Sequence, residues 1–132
     1  MSEEFKIEVI SPEKSFLSKE NVKEVVIPGY EGEMGILKDH ISLISFLKPG
    51  IIKVFSTDGE EHFYVDDGFA EFKDNALSIL TSSIFDVKEK DLSFITKSIE
   101  TAEKELLKED LNDQNRFLIN HKIDILKSLS VN

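Results

Sequence analysis

The sequence predicts an α+β chain, an N-terminal antiparallel β-sandwich followed by a C-terminal antiparallel helical hairpin, and three observations carry that prediction. Apolar residues recur with period two through the first two-thirds of the chain and with period three to four after it. Turn residues punctuate the first stretch roughly every ten positions, the spacing of short antiparallel strands. The charge also changes habit. Residues 1–86 hold 8 Lys against 17 Asp and Glu, a balance of −9, while residues 87–132 hold 8 basic and 9 acidic side chains, a balance of −1. The expected units are a sandwich over residues 1–85 and a hairpin over residues 86–132.

Phe5, Ile7 and Val9 alternate with Lys6 and Glu8, so the first strand offers one face to a core and one to water, and Ser11-Pro12 ends it. Val22 to Ile27 follows as a strand broken by Pro28-Gly29, because proline lacks the ladder donor and glycine accepts turn angles. Gly32 and Gly35 bracket Glu33 and Met34, which reads as a glycine-shaped polar loop before a short strand over Gly35 to Leu37. Lys38-Asp39-His40 is a second turn, and Ile41 to Leu47 is a strand that runs up to the Pro49-Gly50 break. Ile51 to Phe55 and His62 to Val65 are joined across Asp58-Gly59, a hairpin dipeptide. Gly68 precedes a strand over Phe69 to Phe72, and Asp74-Asn75 turns it into Leu77 to Leu80.

From Asp86 the period lengthens. Asp86 and Glu89 have the spacing of a capping box, in which a side chain satisfies free donors at a helix start. Leu92, Ile95, Ile99, Ala102 and Leu106 then form one helical stripe. Asn112 is the cap of a second helix carrying Phe117, Leu118, Ile119, Ile123, Ile125, Leu126 and Leu129, and the short link implies antiparallel packing.

Composition excludes several classes of function. At 132 residues the chain buries roughly two-thirds of its unfolded surface, enough for one modest core. Its net charge of −10 argues against nucleic acid and anionic lipid as partners, because phosphate binding needs clustered Lys and Arg. No apolar run approaches the roughly 20 residues of a membrane span. MSEEFKIEV enters an alternating pattern at once, unlike a secretory or transit peptide. With no cysteine there is no disulfide or thiolate chemistry. His40, His62 and His121 are far apart and form no ligand set, so no metal is expected.

Enzymatic readings find little. Phosphate-loop and nucleophile-elbow motifs are absent, and the neighbouring acids Asp66 and Asp67 would share a substrate only if Gly68 places them in a turn. A free-standing ligand-binding sandwich would want exposed aromatics on one sheet face. Tyr30 and Tyr64 are the only tyrosines, tryptophan is absent, and most of the ten phenylalanines fall at inward positions of the pattern.

The densest signal lies in VVIPGYEGEMGILKDHISLISFLKP, Val25 to Pro49. Pro28, Gly29, Gly32, Glu33, Gly35, Ile36, Leu37, His40, Leu43, Leu47, Lys48, Pro49 and Gly50 fall in register, without a gap, on the pattern PGxxGExGILPGHxPLxxxLKPG. The chain thereby resembles the epsilon subunit of bacterial F-type ATP synthases, the equivalent of the mitochondrial delta subunit. The likeness is dense from Phe5 to about Leu92 and thin beyond it. One departure sits inside it: Lys38-Asp39 stands where the family usually has Pro-Gly before the histidine.

The resemblance implies a β-sandwich with a helical hairpin and a non-catalytic central-stalk role, coupling proton-driven c-ring rotation through the gamma subunit to ATP synthesis. It implies no cofactor, and a peripheral place on the cytoplasmic face of the inner membrane, reached only through the complex. Tyr30, Glu31, Gly32 and Glu33 would face the c-ring, with basic or polar ring loops as partners of Glu33. His40 would stand at a turn close to gamma, with structural capping as the equal alternative. The hairpin would either lie against the sandwich or extend to the alpha/beta head, where basic residues restrain ATP hydrolysis. Here Arg116, Lys122 and Lys127 are set against Asp113 and Asp124, so the expected brake is weak. A family ATP motif, Leu/Ile-Asp-x-x-Arg-Ala, falls on Leu92 to Lys97. Ser93 replaces its carboxylate and Thr96 its guanidinium, so no nucleotide site is expected.

Overall fold

The computed structural model describes residues 3–130. Nine strands come first: β1 (Phe5–Ser11), β2 (Lys14–Gly29), β3 (Gly32–Leu37), β4 (Leu43–Leu47), β5 (Gly50–Ser56), β6 (Gly59–Val65), β7 (Gly68–Lys73), β8 (Ala76–Leu80) and β9 (Ile84–Asp86). Two helices follow, α1 (Leu92–Glu105) and α2 (Asp113–Leu129). By its internal contacts the chain divides into one unit ending at Asp86 and another beginning at Val87.

In the first unit the strand order β1-β8-β7-β4 forms one layer, and β3, β5, β6 and β9 belong to the other. The strand that serves both is β2. Its N-terminal half pairs with β1, from Ser11↔Lys14 to Phe5↔Val22, and its C-terminal half pairs with β3 and β5. The register slips between Val22 and Glu24, so Val22 and Val25 both point inward although they lie an odd number of residues apart. That extra residue is a bulge, the usual means of bending a strand from one layer into another. Sequence alternation located only the C-terminal half. Residues 14 to 21 carry Phe16 and Leu17 side by side and half-buried, which hides a period of two. One pairing departs from the antiparallel expectation: β1 lies parallel to β8, from Lys6↔Ala76 to Ile10↔Leu80.

Between the layers lies a core in which Phe5, Ile7, Val9, Val25, Ile27, Ile36, Ile52, Val54, Phe72, Leu77 and Ile79 are at most 3% exposed. Phe5 meets Phe72 edge-on at 5.5 Å and Phe16 meets Phe63 at 5.4 Å, the geometry that ring quadrupoles favour. The β5–β6 hairpin is tied to β2 by polar groups. Asn21 Nδ2 donates to Thr57 Oγ1 at 2.6 Å and to Asp58 Oδ2 at 3.0 Å, and Lys19 pairs with Glu61 at 2.6 Å.

The end of the sandwich corrects the predicted helix start. Ile84–Asp86 is a ninth strand, paired with β6 through Phe63↔Asp86, so Asp86 is not the cap of α1. The N-cap of α1 is Asp91, whose carboxylate accepts from the Phe94 amide at 2.9 Å. Asn112 caps α2 as the sequence predicts, accepting from the Asn115 amide at 2.7 Å. Within the helical unit, Ile95 and Ala102 of α1 and Ile123 and Leu126 of α2 are buried, whereas Leu92 and Phe117 at the ends of their stripes are exposed. Lys127 reaches Glu103 across the pair at 4.0 Å, and the Arg116 guanidinium donates to the Leu106 carbonyl at 3.4 Å.

Two outcomes follow. A Cβ on Gly50 would stand 2.6 Å from the Pro28 Cβ, part of a ring that cannot swing aside, so Gly50→Ala should lower unfolding stability by about 1–3 kcal/mol in chemical denaturation. Asp58 is held below the usual carboxylate range, chiefly by the Asn21 hydrogen bond and then by Lys19. A depressed folded-state value stabilises above the unfolded value and is lost as pH falls through the folded one. Asn21→Ala should therefore make the acid-side decline of melting temperature shallower than in the parent chain.

Candidate functional site

Pro28 and Gly29 end β2 in a two-residue hairpin. Gly29 pairs with Gly32 and Pro28 with Glu33, leaving only Tyr30 and Glu31 in the turn. Glu33 and Met34, expected in a loop, are already strand residues, so the strand begins at Gly32 rather than at Gly35. Gly32 takes φ +132°, open to glycine and strained for other residues, while Gly35 is not among the positive-φ residues. Glu31 and Glu33 are exposed, giving the tip a negative charge. Backbone bonds join this hairpin to β4: the Tyr30 amide donates to the Phe46 carbonyl at 3.1 Å and the Lys48 amide to the Pro28 carbonyl at 3.0 Å. Tyr30, half exposed, is thus set beside Phe46.

That position opens onto an apolar groove of about 570 Å³, whose walls include Ile10, Tyr30, Phe46, Phe69 and Leu80. The register explains it. Phe46↔Phe69, Phe69↔Leu80 and Ile10↔Leu80 are successive partners across β4, β7, β8 and β1, so four apolar side chains stand in one row on the outer face. Phe46 meets Phe69 at 5.8 Å and is 62% exposed; Ile44, two residues back, is equally exposed. The expectation that phenylalanines point inward holds for Phe5, Phe63, Phe72 and Phe85 but fails for Phe46, Phe94 and Phe117. A signal for the row was present in Val9-Ile10, Leu43 to Leu47 and Ile79-Leu80, where neighbouring apolar residues break the alternation and force one of them outward.

His40 lies at the other end of β4 from Tyr30. Its Nδ1 lies 2.8 Å from the Ile41 carbonyl, which assigns that nitrogen the proton, and its ring meets Phe72 edge-on at 6.0 Å. Beside it Asp39 adopts φ +66° and Asn75 φ +57°, an angle that Asp and Asn tolerate better than most residues. They clasp each other: the Asp39 amide donates to Asn75 Oδ1 at 2.7 Å, and Asn75 Nδ2 donates to Asp39 Oδ1 at 3.0 Å. The turn that departs from the family's Pro-Gly is therefore held by side chains. The hairpin tip and His40 are not brought together.

The remaining candidates are engaged locally. Asp66 accepts from the Tyr64 hydroxyl at 2.8 Å, and burial, then the Asp66 charge and hydrogen bond, push the Tyr64 phenol well above its ordinary range. Asp67 accepts from the Ser82 hydroxyl at 2.6 Å and from its amide, so both acids brace the turns around Gly68. His62 pairs with Glu60, and His121 stacks on Phe117. Ser93 and Thr96 are exposed on α1, whose first turn has no acidic residue. No group of three or more metal-ligating side chains occurs among the described residues, nor any helix long and apolar enough to cross a membrane.

The sequence profile of the ATP synthase delta/epsilon chain β-sandwich domain matches residues 4–87. The chain belongs to the ATP synthase delta/epsilon chain family. It is 62% identical to the ATP synthase epsilon chain of Pelagibacter ubique over 98% of its own length and 100% of that protein. It is 37% identical to the epsilon chain of Rhizobium etli over 89% of its length and 87% of that one. Among solved structures, a chain of the Euglena gracilis mitochondrial ATP synthase, in an assembly of OSCP, F1 and c-ring, superposes with a TM-score of 0.74 at 24% identity, covering 98% of this chain and 81% of that one. A chain of the Tetrahymena thermophila mitochondrial ATP synthase central stalk and c-ring gives 0.68 at 14% identity, covering 98% of both. These share the sandwich and two C-terminal helices. As a family member the chain is a non-catalytic subunit of the synthase.

The two glycines of the hairpin separate by substitution. Gly32→Val forces a β-branched residue to positive φ and should cost about 1–3 kcal/mol. Gly35→Ala meets only the mobile end of Glu24 at 2.9 Å and should cost less; denaturant midpoints measure the difference.

Proposed function

We propose that the chain is a central-stalk rotor subunit of a proton-driven F-type ATP synthase, peripheral to the cytoplasmic face of the inner membrane. The gamma subunit docks on the outer face of β1, β8, β7 and β4, and the c-ring meets Tyr30, Glu31, Gly32 and Glu33. The supporting observation is the continuity of the exposed apolar row with the acidic hairpin tip through the Tyr30–Phe46 backbone bond. A contiguous apolar patch on a soluble domain marks an interaction surface. An acidic tip suits the basic or polar loops of a ring. A joint that transmits torque needs spread contacts on a stiff frame, and a closed set of strands supplies the frame. Membership in the family and the assemblies from which the similar structures come support the same reading. His40 serves gamma indirectly, by holding the turn before β4.

For the hairpin the reading is a weak brake with no nucleotide site. Of its three α2 cations, Lys127 and Arg116 already have partners within the hairpin, which lowers what an acidic loop of the alpha/beta head would gain. Near the family's motif position the nearest carboxylate, Asp91, is committed to capping. Free-standing ligand binding is the competing reading favoured by the aromatic groove, and the same experiment separates them. The chain is co-purified with its own gamma subunit, and ATP hydrolysis by the catalytic complex is compared with the full chain and with a truncation after Asp86, which spares β9. The expected result is stoichiometric gamma binding and hydrolysis that changes less than about twofold on truncation. Absence of gamma binding would favour the ligand-binding sandwich, and a several-fold acceleration would make the hairpin a working brake. Calorimetric titration with ATP should show no micromolar site.

A further inference from the structure

The same outer face carries more than an apolar row. Register fixes two further rows parallel to it. Glu71 pairs with Ser78 and Ser78 with Glu8; one step further along the strands, Lys73 pairs with Ala76 and Ala76 with Lys6. Successive rows on one face lie two residues apart, about 7 Å. Along β7, β8 and β1 the face therefore reads apolar, acidic, basic, while on β4 the exposed Ile44, the partner of Glu71, extends the apolar row by one step. Glu71, Lys73, Ser78 and Lys6 are exposed, and Glu8 and Ala76 are half-buried. None of these four charges takes part in an ion pair among the described residues.

Shape adds to the charge order. Ser78 and Ala76 are the small residues at the centre of their rows, and each lies between two long side chains of like charge. The flanking strands are about 10 Å apart, so one side chain descending over Ser78 reaches both Glu8 and Glu71, and one over Ala76 reaches both Lys6 and Lys73. Like charges so placed repel each other until a counter-charge arrives.

We infer that gamma, seated on this face, presents an apolar ridge over Phe46, Phe69, Leu80 and Ile10, a Lys or Arg over Ser78, and an Asp or Glu over Ala76. This rests on the assignment of gamma to the face and adds to it the chemistry and orientation of the contact. Turning the partner end for end would leave its cation over Ser78 but bury its acid, unpaired, against the apolar row and set its apolar ridge against Lys6 and Lys73. Complementary bands thus allow one docking direction and penalise the reverse, which is how charge contributes specificity beyond affinity.

The test is a charge exchange at constant net charge. Full-length chain is prepared as parent, as Glu8→Lys with Glu71→Lys, as Lys6→Glu with Lys73→Glu, and as the fourfold exchange. Binding to purified gamma is followed by biolayer interferometry at low and high salt, and melting temperature reports folding. Each pairwise reversal should weaken binding by at least about tenfold at low salt, and the fourfold exchange, whose net charge equals the parent's, should weaken it at least as much. Melting temperatures should change by only a few degrees, since these side chains lie outside the core. If the fourfold exchange binds like the parent, net charge alone matters and the banding is refuted. If both pairwise reversals also bind like the parent, the rows play no part. Parent chain that fails to bind gamma would instead refute the assignment of the face.

Discussion

The arrangement depends on the bulge that lets β2 belong to both layers. Sixteen residues pair with β1 at one end and with β3 and β5 at the other, and the slip between Val22 and Glu24 turns Val22, Val25 and Ile27 into one continuous inward surface. Without the added residue, either Val22 or the Val25/Ile27 pair would point to water, at about 1.5–3 kcal/mol for each exposed side chain. The bulge places Pro28 and Gly29 where β4 and β5 begin to diverge. The close approach of Pro28 to Gly50 and the bonds from Tyr30 to Phe46 and from Lys48 to Pro28 follow from that placement. The acidic tip and the apolar row are adjacent because one strand crosses the fold.

Much of this was legible in the amino acids, and the failures have physical causes. Alternation found β1, β7 and β8 because each has one dry and one wet face. It missed residues 14 to 21, where Phe16 and Leu17 are both half-buried and neither face is fully dry. It missed β9 because three residues are too few to show a period, and Asp86 with Glu89 imitates a capping box while its backbone is in a ladder. The true cap, Asp91, lies five residues on, and nothing in the local sequence ranks one aspartate over the other. The glycine spacing located the hairpin but mis-sized it: the strand predicted from Gly35 already begins at Gly32, and Gly35 is small beside Glu24 rather than bent.

The site was legible in part. Tyr30 to Glu33 were found at a tip, through their turn residues and family register. The apolar row was passed over because outward apolar residues on a strand were read as core. Distinguishing the two requires knowing which side of the strand faces the other layer, and that parity is set by partners far away in sequence: Phe46 is outward because Leu47 is inward opposite Gly68. Charge rows are hidden for the same reason. Lys6, Ala76 and Lys73 share a row only through a parallel pairing that local sequence does not announce.

An exposed apolar row is a hazard for a chain that must exist before it meets its partner, and the surroundings of this row limit the hazard. Sheet edges are the other route to unwanted association, and closure of β1 on β2 removes one such edge. On β7, β8 and β1, rows of two acids and then two lysines end the apolar surface within about 7 Å, with Ile44 carrying it one step further on β4 alone, and a second copy of the chain would bring the same row order against itself. In an antiparallel self-contact centred on the acidic row, Glu8 and Glu71 would oppose their own kind, which disfavours that pairing at low salt. The apolar row is kept available to a partner with a different charge order, and the fold reaches this state with residues that contribute nothing to its core.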